Sequence, residues 1–146
     1  MSERPTVLFV CVRNAGKSRM AAGLMRAALT RRGLPDAVAV TSAGTAPGGS
    51  VNALSAQSLR ELGADIGGEP PTALTPAMVA DATVVVTLGR EAHVDPVPGP
   101  RFQAWDTDES STRGIEGIDR MRLVRDDIAA RVEALLDDLV GQTRGS

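Results

Sequence analysis

The chain has 146 residues, 42% of them hydrophobic, and a formal net charge of -2. That length suits one domain with a core of its own, and the near-neutral charge excludes bulk attraction to nucleic acid or to an anionic membrane surface. One cysteine excludes an internal disulfide, and 2% aromatic content leaves little for a site built on ring stacking. No apolar run is long enough to span a bilayer, and the first residues carry no signal-peptide core, so a cytoplasmic protein is expected.

The apolar, β-branched run Thr6–Cys11 predicts a buried strand. Residues 18–32 read as a helix with Met20, Leu24, Ala27 and Ala28 on one side and Gly33 as its stop. Ser18 reads as its N-cap and as a site residue. Residues 37–42 form a second expected strand, followed by a Gly- and Pro-containing loop over 43–49. A helix is expected over 52–62, ending at Gly63, and a short one over 75–82 with Pro76 in its first turn. Residues 83–88 form a Val-rich third strand bounded by Gly89, and 102–105 a weaker fourth. A long helix over 114–140 closes the chain, with Ile118, Met121, Val124, Ile128, Val132, Leu135 and Leu139 at spacings of three and four. Ser110, Ser111 and Thr112 are expected to cap it, and Arg120, Arg122 and Arg125 to form its solvated side. Residues 141–146 read as a disordered tail. His93 reads as surface decoration, and Trp105 as core or cleft wall.

The alternation predicts an α/β fold. It is a single three-layer domain over 1–146, with a four-stranded parallel sheet flanked by helices and an oxyanion-binding loop after the first strand. Ligands in such sheets bind at the carboxyl ends of the strands. Cys11 stands at that end of the first strand, and Asp106, Asp108 and Glu109 follow the last, so thiol and carboxylates are expected at one edge.

Two readings of the first loop compete. Gly16-Lys17-Ser18 looks like the end of a nucleotide-phosphate loop, but Cys11 stands where that motif needs glycine, and no strand ends in the Asp that would hold Mg²⁺. In the other reading, backbone N–H groups of Val12, Arg13, Asn14, Ala15, Gly16, Lys17 and Ser18 cradle an oxyanion at the positive end of the helix. The same field favours the thiolate of Cys11, which is the nucleophilic form. Arg13 and Arg19 add positive potential. No metal and no bound cofactor is expected.

With Cys11, five residues, then Lys17 and Ser18, with Asn14 inside the loop and Ser42-Ala43-Gly44-Thr45 further on, the chain resembles the low-molecular-weight protein tyrosine phosphatase superfamily, which includes thiol-linked arsenate reductases. The resemblance extends from about Thr6 to the last helix. It is strongest to actinobacterial arsenate reductases that pass arsenate to a small thiol, on the loop Cys-Val-x-Asn-x-Gly-Lys-Ser, the following Met20-Ala21-Ala22 and the late segment from Arg113 to Arg122. Phosphatases of the superfamily carry Arg where Lys17 stands. Arg offers a planar fork and Lys only a point charge, which argues against phosphoryl transfer. They also place an Asp-Pro pair after the last strand; here Asp108 and Glu109 stand there without proline, and either can serve as general acid.

The resemblance implies that Cys11 attacks arsenate, that Lys17 and Ser18 support the oxyanion and the thiolate, and that Asp108 or Glu109 protonates the leaving hydroxide. Thioredoxin-linked relatives use further cysteines as a resolving relay. None exists here, so an external thiol is required. The resemblance implies mycothiol as co-substrate and a mycoredoxin as partner, and a monomer is expected. The alternatives are a tyrosine or small-phosphoester phosphatase and a non-catalytic oxyanion-binding module.

Overall fold

Val7 and Phe9 face one side of a sheet while Leu8 and Val10 face the other, all four fully buried. This is the period-two pattern of a strand covered on both faces. The computed structural model describes residues 5–14, 16–46, 48, 53–64, 72–89, 92–105 and 117–144. In it β1 (Thr6–Cys11), β2 (Ala39–Gly44), β3 (Val84–Leu88) and β4 (Arg101–Trp105) form one sheet of order β2-β1-β3-β4. Every pairing is parallel. The chain goes from β1 to a neighbour on one side and returns to β3 on the other. The carboxyl end of β1 is therefore the point where strand order reverses and a crevice opens.

Three helices cover the Val7–Phe9 face: α1 (Lys17–Arg31), α2 (Ala53–Arg60) and α4 (Gly117–Arg144). Met20, Met25, Leu59, Ile128 and Leu136 fill that layer, all fully buried. The short α3 (Pro76–Asp81) covers the other face through Val79, against Leu8, Val10 and Val85. Thr75 caps α3 by accepting from the Met78 N–H, with Pro76 behind it. The expected three-layer α/β fold is thus present. Trp105 belongs to the core, its ring tilted 56° against Phe9.

The structure moves several boundaries. β2 occupies Ala39–Gly44 rather than 37–42, because its register with β1 runs from Thr6↔Ala39 to Cys11↔Gly44. The Ala37 N–H is taken instead by the Leu34 carbonyl in the turn after α1. Part of the expected 43–49 loop is therefore strand. At the other end of the chain α4 continues to Arg144, so residues 141–144 are helix rather than tail.

Arg125 corrects a further expectation. The sequence puts it on the solvated side of α4, yet it is 7% exposed. Its position four after Met121 and three before Ile128 puts it on the inward stripe. There its Nη1 donates to the Ser58 carbonyl (3.0 Å) and to Glu61 (2.8 Å), reaching a carbonyl in the last turn of α2. Arg122 adds a fork onto the same carboxylate, at 2.6 Å through Nη2 and 3.0 Å through Nε. The hydrogen bonds from Arg122, and then from Arg125, hold the Glu61 carboxyl at about 2 against the opposing effect of desolvation. This pairing joins the end of α2 to α4.

Candidate active site

Cys11 ends β1 and Lys17 begins α1, so the connection between them must turn sharply over the sheet edge. The carbonyls of that turn are occupied in succession. The Thr45 N–H donates to the Cys11 carbonyl (3.0 Å), the Ala46 N–H to that of Val12 (2.8 Å) and the Gly48 N–H to that of Arg13 (3.4 Å). The Asn14 carbonyl accepts from Arg19 Nε at 2.8 Å. Carbonyls tied to these partners are not available to face an anion, which is what a backbone cradle requires.

Asn14 holds the turn in shape. Its φ of 56° lies in the left-handed region, which Asn tolerates better than most residues. Its side chain is fully buried. Nδ2 donates to Ser18 Oγ (2.8 Å) and Ser42 Oγ (3.1 Å), and Oδ1 accepts from the Thr72 N–H (2.8 Å). One side chain thus ties the loop to α1, to β2 and to the segment before α3.

The sulfur sits inside this network. Cys11 is 8% exposed. Its Sγ accepts from the Asn14 N–H at 3.2 Å and lies 2.9 Å from Ser18 Oγ. Ser18 Oγ already accepts from Asn14, so its own hydrogen can be directed at the sulfur. Hydrogen bonds to an anionic acceptor are the stronger kind, and two donors here converge on one atom. Ser18 is therefore not the N-cap of α1. Gly16 holds that position, without a side-chain cap bond.

Lys17 is half-buried at the first position of α1. Its Nζ lies against Gly89, where a Cβ would stand 4.0 Å from the nitrogen. Gly89 has φ +88°, and its N–H donates to the Trp105 carbonyl (3.1 Å). The ammonium thus sits over the carboxyl end of β3. Val12 and Gly16 are half-buried in the turn, Arg13 is exposed and Arg19 is buried. Ala15, Asp108, Glu109 and the expected 110–112 cap lie outside the described residues. His93 is exposed and pairs with Asp95 at 3.0 Å. Among the described residues no group of three or more His, Cys, Asp and Glu is placed to hold a metal ion, and no helix is long and apolar enough to cross a membrane.

Gly44 is a site residue whose packing could not be read from the sequence. A Cβ there would stand 2.7 Å from the Val12 carbonyl oxygen and 3.0 Å from both the Arg13 carbonyl carbon and Asn14 Cβ. The first two are backbone atoms and cannot step aside. Gly44→Ala is expected to displace the loop, costing about 1–3 kcal/mol in stability and roughly a hundredfold in oxyanion turnover. A thermal melt and a turnover assay on that variant check both.

The chain matches the low molecular weight phosphotyrosine protein phosphatase family over residues 6–144, and it belongs to that family. Several proteins similar to it are arsenate reductases. A putative arsenate reductase of Halobacterium salinarum is 28% identical over 130 residues, covering 89% of each chain. The thioredoxin-dependent arsenate reductase of Corynebacterium glutamicum is 28% identical with a TM-score of 0.79. It matches 97% of this chain, which in turn spans only 64% of the Corynebacterium chain. An arsenate reductase solved in a phosphate-binding state is 26% identical with a TM-score of 0.76, covering 92% of this chain and 98% of its own.

Proposed function

We propose that this protein is an arsenate reductase working as an arsenate–mycothiol transferase, as in the actinobacterial branch its loop resembles. The observation that carries the reading is the single cysteine of the chain, seated between the Asn14 N–H and Ser18 Oγ at the oxyanion loop. The arsenate reductases among its relatives support the choice of oxyanion.

In the proposed sequence the loop N–H groups and Lys17 hold arsenate. The Cys11 thiolate forms a sulfur–arsenic bond as hydroxide leaves, protonated by Asp108 or Glu109. No second cysteine can release the arsenic from Cys11. The thiolate of mycothiol therefore attacks arsenic, and Cys11 departs as thiolate. Arsenic remains arsenic(V) through this transfer. Reduction follows when a mycoredoxin thiol attacks the sulfur of the adduct, releasing arsenite and forming a mixed disulfide. The Corynebacterium relative is thioredoxin-dependent, so thioredoxin is the competing external thiol. On this reading the protein is cytoplasmic, holds no cofactor or metal and works as a monomer.

The family description favours a second reading, hydrolysis of phosphate esters. Lys17 distinguishes the two, because an ammonium cannot grip two equatorial phosphoryl oxygens as a guanidinium does. Lys17→Arg is expected to raise p-nitrophenyl phosphate hydrolysis by about tenfold or more, from a wild-type rate far below that for arsenate with mycothiol and mycoredoxin. A wild-type kcat/KM for the phosphate ester above that for arsenate would overturn the arsenate assignment.

A further inference from the structure

Arg19 is a buried cation with no part in the chemistry proposed above. It is 4% exposed, and its Nε donates to the Asn14 carbonyl at 2.8 Å. Burying a permanent charge is costly unless the surroundings use it. Its setting is unfavourable in a second respect. Lys17 and Arg19 both fall in the first turn of α1, which holds no acidic residue. Cations there oppose the helix dipole, so α1 begins with two charges that work against the helix itself.

One contact of that guanidinium completes the carbonyl pattern of the turn. The carbonyls of Cys11, Val12 and Arg13 are taken by backbone N–H groups of Thr45, Ala46 and Gly48. The series stops there, and the next carbonyl, that of Asn14, is taken by Arg19. Asn14 is the residue in left-handed conformation whose N–H reaches the sulfur. A peptide unit left to swing at this position would turn a carbonyl dipole toward the anion. We propose that Arg19 is a positioning residue that sets the oxyanion affinity of the loop: its guanidinium holds the Asn14 carbonyl away from the ligand and adds a fixed buried charge to that of Lys17. The inference rests on the reading of the loop as an oxyanion site. Arg13 is exposed and contributes only a screened charge.

The test compares wild type, Arg19→Gln and Arg19→Lys. Gln keeps an N–H donor without charge, and Lys keeps the charge. The readouts are the rise in Tm caused by inorganic phosphate or arsenate, and the Kd for phosphate at low and moderate salt. A merely structural role lowers Tm with and without the anion alike; an affinity role shrinks the anion-induced rise. Arg19→Gln is expected to weaken phosphate binding by about tenfold or more, and Arg19→Lys by less than about threefold, the gap narrowing as salt is raised. Equal losses in the two variants, or an Arg19→Gln that binds as wild type, would overturn the proposal and leave the oxyanion reading standing. A wild type whose Tm responds to neither anion would sink both. If Arg19→Gln does not fold, Arg19→Met takes its place: phosphate binding weakened by about tenfold or more, with Arg19→Lys near wild type, upholds the role, and wild-type-like binding by Arg19→Met refutes it.

Discussion

Cys11→Ser is expected to abolish arsenate turnover, by roughly four orders of magnitude or more, while leaving the fold and oxyanion binding intact. The substitution changes one atom. A hydroxyl at that place can still accept from the Asn14 N–H and meet Ser18 Oγ, the two contacts that hold the sulfur now. The carbonyls of the turn keep their partners from Thr45 to Gly48, so the cradle does not depend on sulfur. What is lost is the sulfur nucleophile, because a serine hydroxyl attacks only with a base beside it. The melting temperature should stay within a few degrees of wild type, and phosphate should still raise it. Turnover persisting in the serine variant would remove Cys11 from the chemistry. Loss of the phosphate response would mean that the sulfur is needed to build the loop.

Asn14→Ala is expected to damage stability and activity together. The mutation deletes the bonds to Ser18, Ser42 and the Thr72 N–H, each worth about 1 kcal/mol net and more where a buried partner is left unmet. It also leaves an alanine at φ 56°, where a β-carbon without a polar group costs roughly a further 1 kcal/mol. The sum is about 4 kcal/mol. A loss of roughly 10 °C in Tm follows for a domain of this size. Activity should fall by roughly a hundredfold or more, because the Asn14 N–H is one of the two groups that place the sulfur. Asn14→Asp, with a similar shape, loses the two Nδ2 donations and keeps the Thr72 acceptor. It should fall between Asn14→Ala and wild type in Tm. A melt unchanged in Asn14→Ala would show that the turn is held by its backbone bonds alone.

Period and punctuation carried much of this architecture. The apolar runs ending at Cys11 and Leu88 could only be strands buried on both faces, and Pro76, Gly33 and Gly63 marked helix ends without reference to the rest of the chain. The spacing from Cys11 through Asn14 to Lys17 and Ser18 brought the loop residues together on paper as the structure does in space. Features decided by distant partners were not legible. β2 lies two residues from its expected place because its register is set against β1 and not within its own segment. Gly44 reads as an ordinary loop glycine until the loop backbone at Val12 and Arg13 is laid against it. Thr72 had no signal, since its role is a backbone N–H offered across 58 residues. Arg19 reads only as positive potential near the loop, and Arg125 as a surface charge because charge normally stays in water. The apolar stripe running past position 125 on either side was the available hint for the second.

Transfer of arsenic from Cys11 to an external thiol is decided by mass spectrometry of the protein mixed with arsenate and mycothiol, with no mycoredoxin present. A mycothiol–arsenate adduct is expected in excess over protein, with Cys11 recovered unmodified and no adduct from the Cys11→Ser variant. Absence of the adduct at wild-type Cys11, with arsenite appearing only when thioredoxin and its reductase are supplied, would contradict the transfer.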